Sequence, residues 1–316
     1  MSVMTPRSSA RIACRAATLV VALTLALTGG DAYAEDEEAW TALSSGVFVS
    51  AAEAEQRVQA GALLLDARDE AAFTREHLDG ARSVPWRAWA EAGQRGELLA
   101  DDNALGALIA AAGVTPTRQV VVVGAWRGTP NDPSWGEEGR LWWALRHVGH
   151  DEVSVLYGGW RAARDHGWPT RRGEAPQASG HPAPSPYPVA REPRLRADTP
   201  DVLDAATRGA LLDVRTPLEF AGATPHGEAR GGHVPGARSA WWLRLFDARG
   251  RLRPPSEVRE LFEAWGVRDD APSVAYCTGG VRSGFVVMVA QALGYPMANH
   301  DVSMWGWSAD DSLPLD

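Results

Sequence analysis

In the stretch Val274-Ala275-Tyr276-Cys277-Thr278-Gly279-Gly280-Val281-Arg282-Ser283, a short apolar run passes into a glycine-rich loop that opens with cysteine and closes with arginine. The run Gly284 to Ala290 then resumes apolar residues at helical spacing. Strand, loop and helix in that order make an anion cradle. The glycines let successive backbone N–H groups converge on one point, and the positive end of the helix adds to them. A cysteine placed there has its thiolate stabilised and its pKa lowered.

That role depends on how many cysteines compete for it. The chain has two, Cys14 and Cys277. Cys14 lies in an N-terminal segment with Arg7, Arg11 and Arg15, an apolar core from Ala16 to Leu27, and an Ala32-Tyr33-Ala34 cleavage site. That layout predicts a signal peptide over residues 1–34, its core well short of the roughly 20 residues a membrane span needs. The expectation is an exported protein, periplasmic or secreted, with no membrane attachment after cleavage. Its single remaining thiol, Cys277, can form neither an internal disulfide nor a thiolate metal cluster. A bare thiol in an oxidising compartment needs a reason. Burial as a small hydrophobe is one, but adjacent glycines and an arginine are poor core packing.

Composition narrows the chemistry. The formal charge is −9, and removing three Arg and one Asp with the signal leaves −11. Such acidity argues against nucleic acid and anionic membrane surfaces as partners. The sequence contains no lysine, so Schiff-base catalysis and a phosphate-binding Gly-Lys-Ser/Thr loop are both excluded. Arginine, always charged and able to bind an oxyanion through two hydrogen bonds, supplies all the basic residues.

An internal repeat divides the chain. Leu64-Leu65-Asp66-Ala67-Arg68 returns as Leu211-Leu212-Asp213-Val214-Arg215, and His77 to Ser83 returns as His233 to Ser239, with Trp86 answered by Trp242. Ala112-Gly113-Val114 matches Trp265-Gly266-Val267, the strand Val120 to Val123 matches Ser273 to Tyr276, and Gly158-Gly159-Trp160 is set against Trp305-Gly306-Trp307. Two related domains are expected, over 45–172 and 197–316, joined by a proline-rich linker over 173–196 whose prolines forbid regular hydrogen-bonded structure.

Within each half, strand patterns (Leu63 to Asp66 and Val120 to Val123; Ala210 to Val214 and Pro272 to Tyr276) alternate with helical ones (Asn103 to Ala112 and Gly139 to Val148; Pro255 to Trp265 and Ser283 to Leu293). This implies α/β domains, each a mainly parallel sheet with helices on both faces, and ligand binding where strands meet helix N-termini. The halves differ at that place. Gly124 stands where the second half has Cys277, so the first domain is expected to be inactive and the second catalytic.

Together these motifs resemble a tandem-domain rhodanese, of the thiosulfate and 3-mercaptopyruvate sulfurtransferase family, across nearly the whole chain after residue 34. The resemblance rests on Asp213-x-Arg215, the Gly232 to Ala237 turn, the Cys277 to Ser283 loop and the closing Met304-Trp305-Gly306-Trp307. It implies two rhodanese-like domains and a reaction in which Cys277 takes a sulfane sulfur from a small donor as a persulfide and passes it to an acceptor. That acceptor is a thiol, a cyanide-like nucleophile or a protein. No cofactor or metal is implied.

The residue chemistry assigns matching roles. Cys277 is the nucleophile, and the backbone of Thr278, Gly279, Gly280, Val281 and Ser283 holds the outer persulfide sulfur. Arg282 and Arg215 are expected to bind the donor's anionic end, the competing role for Arg215 being an ion pair with Asp213 or Glu219. Asp213 and His233 are supporting residues, since transfer to a ready thiolate requires no general base. Which of the 14 tryptophans line the site is open at this level. The main alternatives are a non-catalytic persulfide carrier for a partner and a phosphatase or arsenate reductase. Related phosphatases place five residues between Cys and Arg around a tetrahedral oxyanion, whereas four separate Cys277 from Arg282. Thr278-Gly279 matches neither donor's usual loop, and thiosulfate is favoured over 3-mercaptopyruvate.

Overall fold

The computed structural model describes residues 34–316 apart from positions 44, 94–95, 127, 130–131 and 175–184. The signal peptide expected over 1–34 lies outside the described residues except for its last position, as does the middle of the proline-rich segment.

In the first half, β1 (Phe48–Val49), β2 (Leu63–Asp66), β3 (Arg82–Ser83), β4 (Val120–Val123) and β5 (Val153–Leu156) form one sheet in the order β1-β5-β4-β2-β3. Every pairing in it is parallel. The central strand β4 is four consecutive valines, all buried. A strand covered on both faces needs apolar side chains at every position, and β-branched ones suit extended backbone. Alternate residues accordingly face two cores. Leu63, Leu65, Val120 and Val122 meet α2 (Asp102–Ala111) and α3 (Glu137–His147) through Leu105, Ile109, Leu141 and Leu145. Leu64, Val121 and Val123 meet α1 (Ala51–Gln59) and α4 (Gly159–His166) through Ala54 and Ala163.

The second half repeats this plan with four strands. β6 (Leu211–Asp213), β7 (Arg238–Ser239), β8 (Ser273–Tyr276) and β9 (Met297–His300) are parallel in the order β7-β6-β8-β9. Helices α5 (Thr199–Thr207) and α8 (Ser303–Ala309) cover one face, and α6 (Pro255–Ala264) and α7 (Val281–Ala292) cover the other. The core on the α6 and α7 side is continuous with that of the first half. Helices α3 and α7 meet at glycines: a Cβ on Gly139 would collide with the Phe285 backbone, and one on Gly284 would stand 3.0 Å from Arg140 Cα. Close approach of the backbones joins the halves face to face, and Trp126 packs edge-on against Phe285 at 5.8 Å beside them.

Two expectations shift in detail. Helix α7 begins at Val281 rather than Ser283, so Arg282 and Ser283 lie in its first turn and the loop proper is Cys277 to Gly280. The last repeat match is also out of register. Trp160 N–H donates to Gly124 O (2.9 Å) as Met304 N–H donates to Cys277 O (3.1 Å), and Gly159 and Ser303 share positive φ. Trp160 therefore corresponds to Met304, not to Trp307. The paired glycine and tryptophan letters misled the alignment, whereas the hydrogen bonds define it.

Candidate active site

Strand β8 ends at Tyr276 in the middle of the second sheet, and Cys277 follows at its carboxyl edge, 1% exposed. The three-residue β6 and the four-residue β9, paired on either side, hold that edge rigid. Cys277 N–H donates to Ser303 Oγ (3.1 Å), and Ser303 Oγ donates to His300 O (2.6 Å). Ser303 has φ of 50°, a strained value for a residue with a side chain. The strain is offset by satisfying a buried N–H that the loop leaves without a strand partner.

Around the sulfur, Ser283 Oγ donates to Cys277 Sγ (3.5 Å), and the Gly279 and Ser283 amides point at it as well. Burial pushes the thiol pKa up. The Arg282 charge, the Ser283 hydroxyl and the two amides outweigh it, and the net shift is downward from the ordinary thiol value. Gly280 caps α7 with φ of 75°, and its carbonyl accepts from Asn299 Nδ2 (3.0 Å) while Arg140 Nη1 of the first half stands 3.5 Å away. With that carbonyl turned outward, the N–H groups of the first helical turn face the sulfur. Burial lowers the Arg140 pKa to about 10, against the opposing effect of Asp301.

The arginines are not arranged as expected. Arg282 is buried in a forked pair with Glu219, Nη1 to Oε2 at 2.9 Å and Nη2 to Oε1 at 2.7 Å. Its Nη2 also donates to Thr278 Oγ1 (2.6 Å), which lies 3.2 Å from Glu228 Oε1. Burial raises the Glu219 pKa, but Arg282 and Thr216 more than reverse this and hold it at about 2. Arg282 thus reaches the cavity with its charge already matched.

Arg215 is nowhere on the cavity wall. It is 1% exposed, forks onto Asp213 (2.9 and 2.6 Å) and donates to Gly232 O (2.8 Å). Arg68 in the first half does the same with Asp66 (3.0 and 2.7 Å) and Glu76 O (2.8 Å). A geometry repeated in the half without a cysteine is a fold device, and the expected donor-binding role for Arg215 gives way to the ion-pair role with Asp213. His233 follows the same rule. Its Nδ1 sits 3.0 Å from Phe220 O with the ring stacked on Phe220, as His77 sits on Phe73.

Above the sulfur opens a cavity of about 430 Å³. Its floor is Cys277, Thr278, Gly279, Val281 and Arg282. Gly280 and Ser283 stay behind it. The walls come from both halves: His226 and Trp305 from the second, and Trp86, Arg87 and Trp135 from the first. Trp305 lies flat against Gly279, where a Cβ would collide with its ring, and its Nε1 donates to His226 O (2.9 Å). Glu228, Arg87, Trp135 and Ser303 escaped sequence reading, and Glu219 entered it only as a possible partner of Arg215. Glu219 carries a usable signal, because Thr216-Pro217-Leu218-Glu219 is a capping-box pattern that holds its carboxylate in a defined place. The others come together only through the packing of the halves.

Comparison with known proteins agrees with this geometry. The rhodanese-like domain matches twice, over residues 50–166 and 198–310. A thiosulfate sulfurtransferase of Pseudomonas aeruginosa is 31% identical over 257 residues, covering 80% of this chain and 90% of that protein. The sulfur carrier protein TtuD of Thermus thermophilus is 30% identical over 210 residues, 60% of this chain and 72% of its own. Among solved structures, the 3-mercaptopyruvate sulfurtransferase SseA of Escherichia coli superposes with a TM-score of 0.67 at 21% identity, covering 81% of this chain and 98% of that one. At that identity the likeness speaks to fold alone. Two matched domains, together with curated relatives named as sulfurtransferases, make this chain a member of the rhodanese-like family and a sulfurtransferase.

Proposed function

We propose that Cys277 is the nucleophile, that it accepts sulfane sulfur as a persulfide, and that the second domain alone carries the chemistry while the first is inactive. The observation that carries this reading is the cradle itself: one thiol of lowered pKa receiving the Ser283 hydroxyl and the Gly279 and Ser283 amides. The thiolate attacks the donor's outer sulfur. The persulfide's outer sulfur is anionic and is held by the amides of the loop and first helical turn, from Thr278 to Ser283. No general base is needed, because the attacking group is already ionised.

Thiosulfate is the favoured donor over 3-mercaptopyruvate. Two relatives matched along most of their length carry the name thiosulfate sulfurtransferase. Sulfite leaves such a donor with the electron pair and needs no proton, which suits a site where the Ser283 hydroxyl is the donor at the sulfur. The acceptor is a thiol, a cyanide-like nucleophile or a protein; a relative named as a sulfur carrier protein supports the last. The basic, apolar and Ala-x-Ala order of residues 1–34 supports export.

Steady-state rates with thiosulfate and 3-mercaptopyruvate at a common cyanide concentration test the donor. A larger kcat/KM for 3-mercaptopyruvate would reverse the assignment. N-terminal sequencing of the protein from an expressing cell tests export, with Glu35 as the expected first residue.

A further inference from the structure

Loading sulfur onto an ionised cysteine needs no base, but handing it to a thiol does. A thiol acceptor reaches the cavity protonated at neutral pH, and only its thiolate attacks sulfur. A group on the cavity wall has to take that proton. Among the described residues that line the cavity, Arg87 and Arg282 have no lone pair to offer, and Cys277 is occupied by the sulfur. His226 is the titratable side chain that remains.

His226 is placed as an oriented base. Its backbone is fixed on both sides, the N–H donating to Glu228 Oε2 (3.0 Å) and the carbonyl accepting from Trp305 Nε1 (2.9 Å). The ring stands edge-on to Trp135 of the first half, with 5.3 Å between centroids. Its Nε2 lies 3.8 Å from Glu219 Oε1, which sets the ring proton on Nε2. Nδ1 keeps its lone pair and makes no hydrogen bond among the described residues, and the side chain is 32% exposed. Arg282 and Thr216 hold Glu219 as a carboxylate with a pKa of about 2, so Glu219 orients the ring without competing for the proton. The charged groups that share this wall or stand behind it are Arg87, Arg282, Glu219 and Glu228. The histidine also belongs to the catalytic half alone. Phe220 and His233 are 13 positions apart, whereas their counterparts Phe73 and His77 are 4 apart, and the extra residues are the ones that bring His226 and Glu228 to the cavity.

Resting on the Cys277 persulfide reading above, we propose that His226 is the catalytic base for sulfur transfer to a thiol acceptor. Its Nδ1 takes the acceptor's proton. The acceptor sulfur forms a bond to the outer persulfide sulfur with the pair that the proton leaves behind. The bond between the two persulfide sulfurs breaks, and its pair returns to Cys277 as the thiolate. The acceptor departs as a persulfide anion, and the imidazolium passes its proton to water. One negative charge enters on the enzyme persulfide, and two leave beside one positive charge on His226, so no outside oxidant or reductant is needed.

The test loads the full-length chain with thiosulfate, removes the donor and follows persulfide discharge by rapid mixing. The acceptors are 2-mercaptoethanol, protonated at neutral pH, and 4-nitrobenzenethiol, already ionised there. His226→Gln is expected to slow discharge to 2-mercaptoethanol by on the order of 10²-fold. Loading and discharge to 4-nitrobenzenethiol are expected to stay near the parent rates. In the variant the 2-mercaptoethanol rate is expected to follow the ionised fraction of the thiol, about tenfold per pH unit between about pH 6 and 8, and in the parent to rise less steeply. Imidazole added to His226→Ala is expected to restore part of the rate. Both substitutions leave the hydrogen bonds of the His226 backbone in place. An equal fall for both thiols, an unchanged rate with 2-mercaptoethanol, or a His226→Gln protein that no longer loads sulfur overturns the proposal, and the persulfide reading stands as long as the parent gains sulfur on Cys277. A parent that gains none overturns both.

Discussion

The loop after β4 and the loop after β8 start from one plan and end in opposite chemistry. Each follows the central strand of a parallel sheet, and each leads to a helix capped by a glycine in the left-handed conformation, Gly136 before α3 and Gly280 before α7. In the second half the space at the strand end holds the Cys277 sulfur and the N–H groups turned toward it. In the first half Gly124 stands there, and the Glu138 carboxyl lies so close that a Cβ on Gly124 would collide with it. Glu138 is fully buried, neither of its oxygens has a hydrogen-bond partner among the described residues, and burial and Glu137 hold its pKa well above the usual carboxylate range. A carboxyl of raised pKa fills the first cradle where a thiol of lowered pKa sits in the second. What separates the halves is therefore the occupant of the cradle, since the Asp-x-Arg clamp and the histidine turn are common to both.

The comparison breaks most severely at the buried pair beneath Cys277. Glu219→Ala leaves Arg282 buried without its partner, and a loss of about 3–5 kcal/mol of unfolding free energy is expected in denaturant titration. The same pair predicts a pH effect. Because the Glu219 pKa is lowered to about 2, its contribution is present above the ordinary carboxylate value of 4.5 and fades as pH falls toward 2. Glu219→Gln should flatten that acid limb.

A smaller effect is expected at Gly280. Its φ of 75° and the Asp301 Cα standing 2.8 Å from an added Cβ make Gly280→Ala cost about 1–3 kcal/mol. Sulfur transfer should fall further than stability, since the amides of the first turn of α7 would be displaced. Gly136→Ala in the first half, where an added Cβ would stand 2.7 Å from the Phe285 side chain and outside the Cys277 loop, is expected to leave persulfide formation nearer the parent rate.

The gentlest test is Glu138→Gln. A raised carboxyl pKa means that the native state keeps a proton the unfolded chain releases above about pH 4.5, so stability declines as pH rises through that region. The amide removes this slope. Its stability relative to the parent is expected to climb between pH 5 and 8 in urea titrations, and a parallel pair of curves would show that Glu138 is ionised in the fold.

Much of this was legible in the chain because it depends on local pattern. The valines of β4, the Val274 to Tyr276 run and the repeated Asp-x-Arg each declare a buried parallel strand by composition alone. Cys277 stood out by elimination and by its glycine neighbours. The arginines were misjudged because sequence gives their charge but not their partners. Arg215 pairs with Asp213 two residues before it and Arg282 with Glu219, 63 residues away along the chain, and pairing within the fold takes precedence over a ligand. Short strands such as Met297–His300, with Asn299 and His300 among four residues, carry no alternating signal. The cavity walls were invisible for another reason. Trp86, Arg87 and Trp135 are separated from Cys277 by more than a hundred residues and reach it only because α3 crosses α7 at Gly139 and Gly284.

The most direct test is intact-mass measurement of the protein after brief exposure to thiosulfate, followed by peptide mapping. A gain of one sulfur atom is expected, located on the peptide containing Cys277, removed by cyanide and absent in Cys277→Ala. A Cys277→Ala protein that still transfers sulfur, or a parent protein that gains none from any sulfane donor, would contradict it.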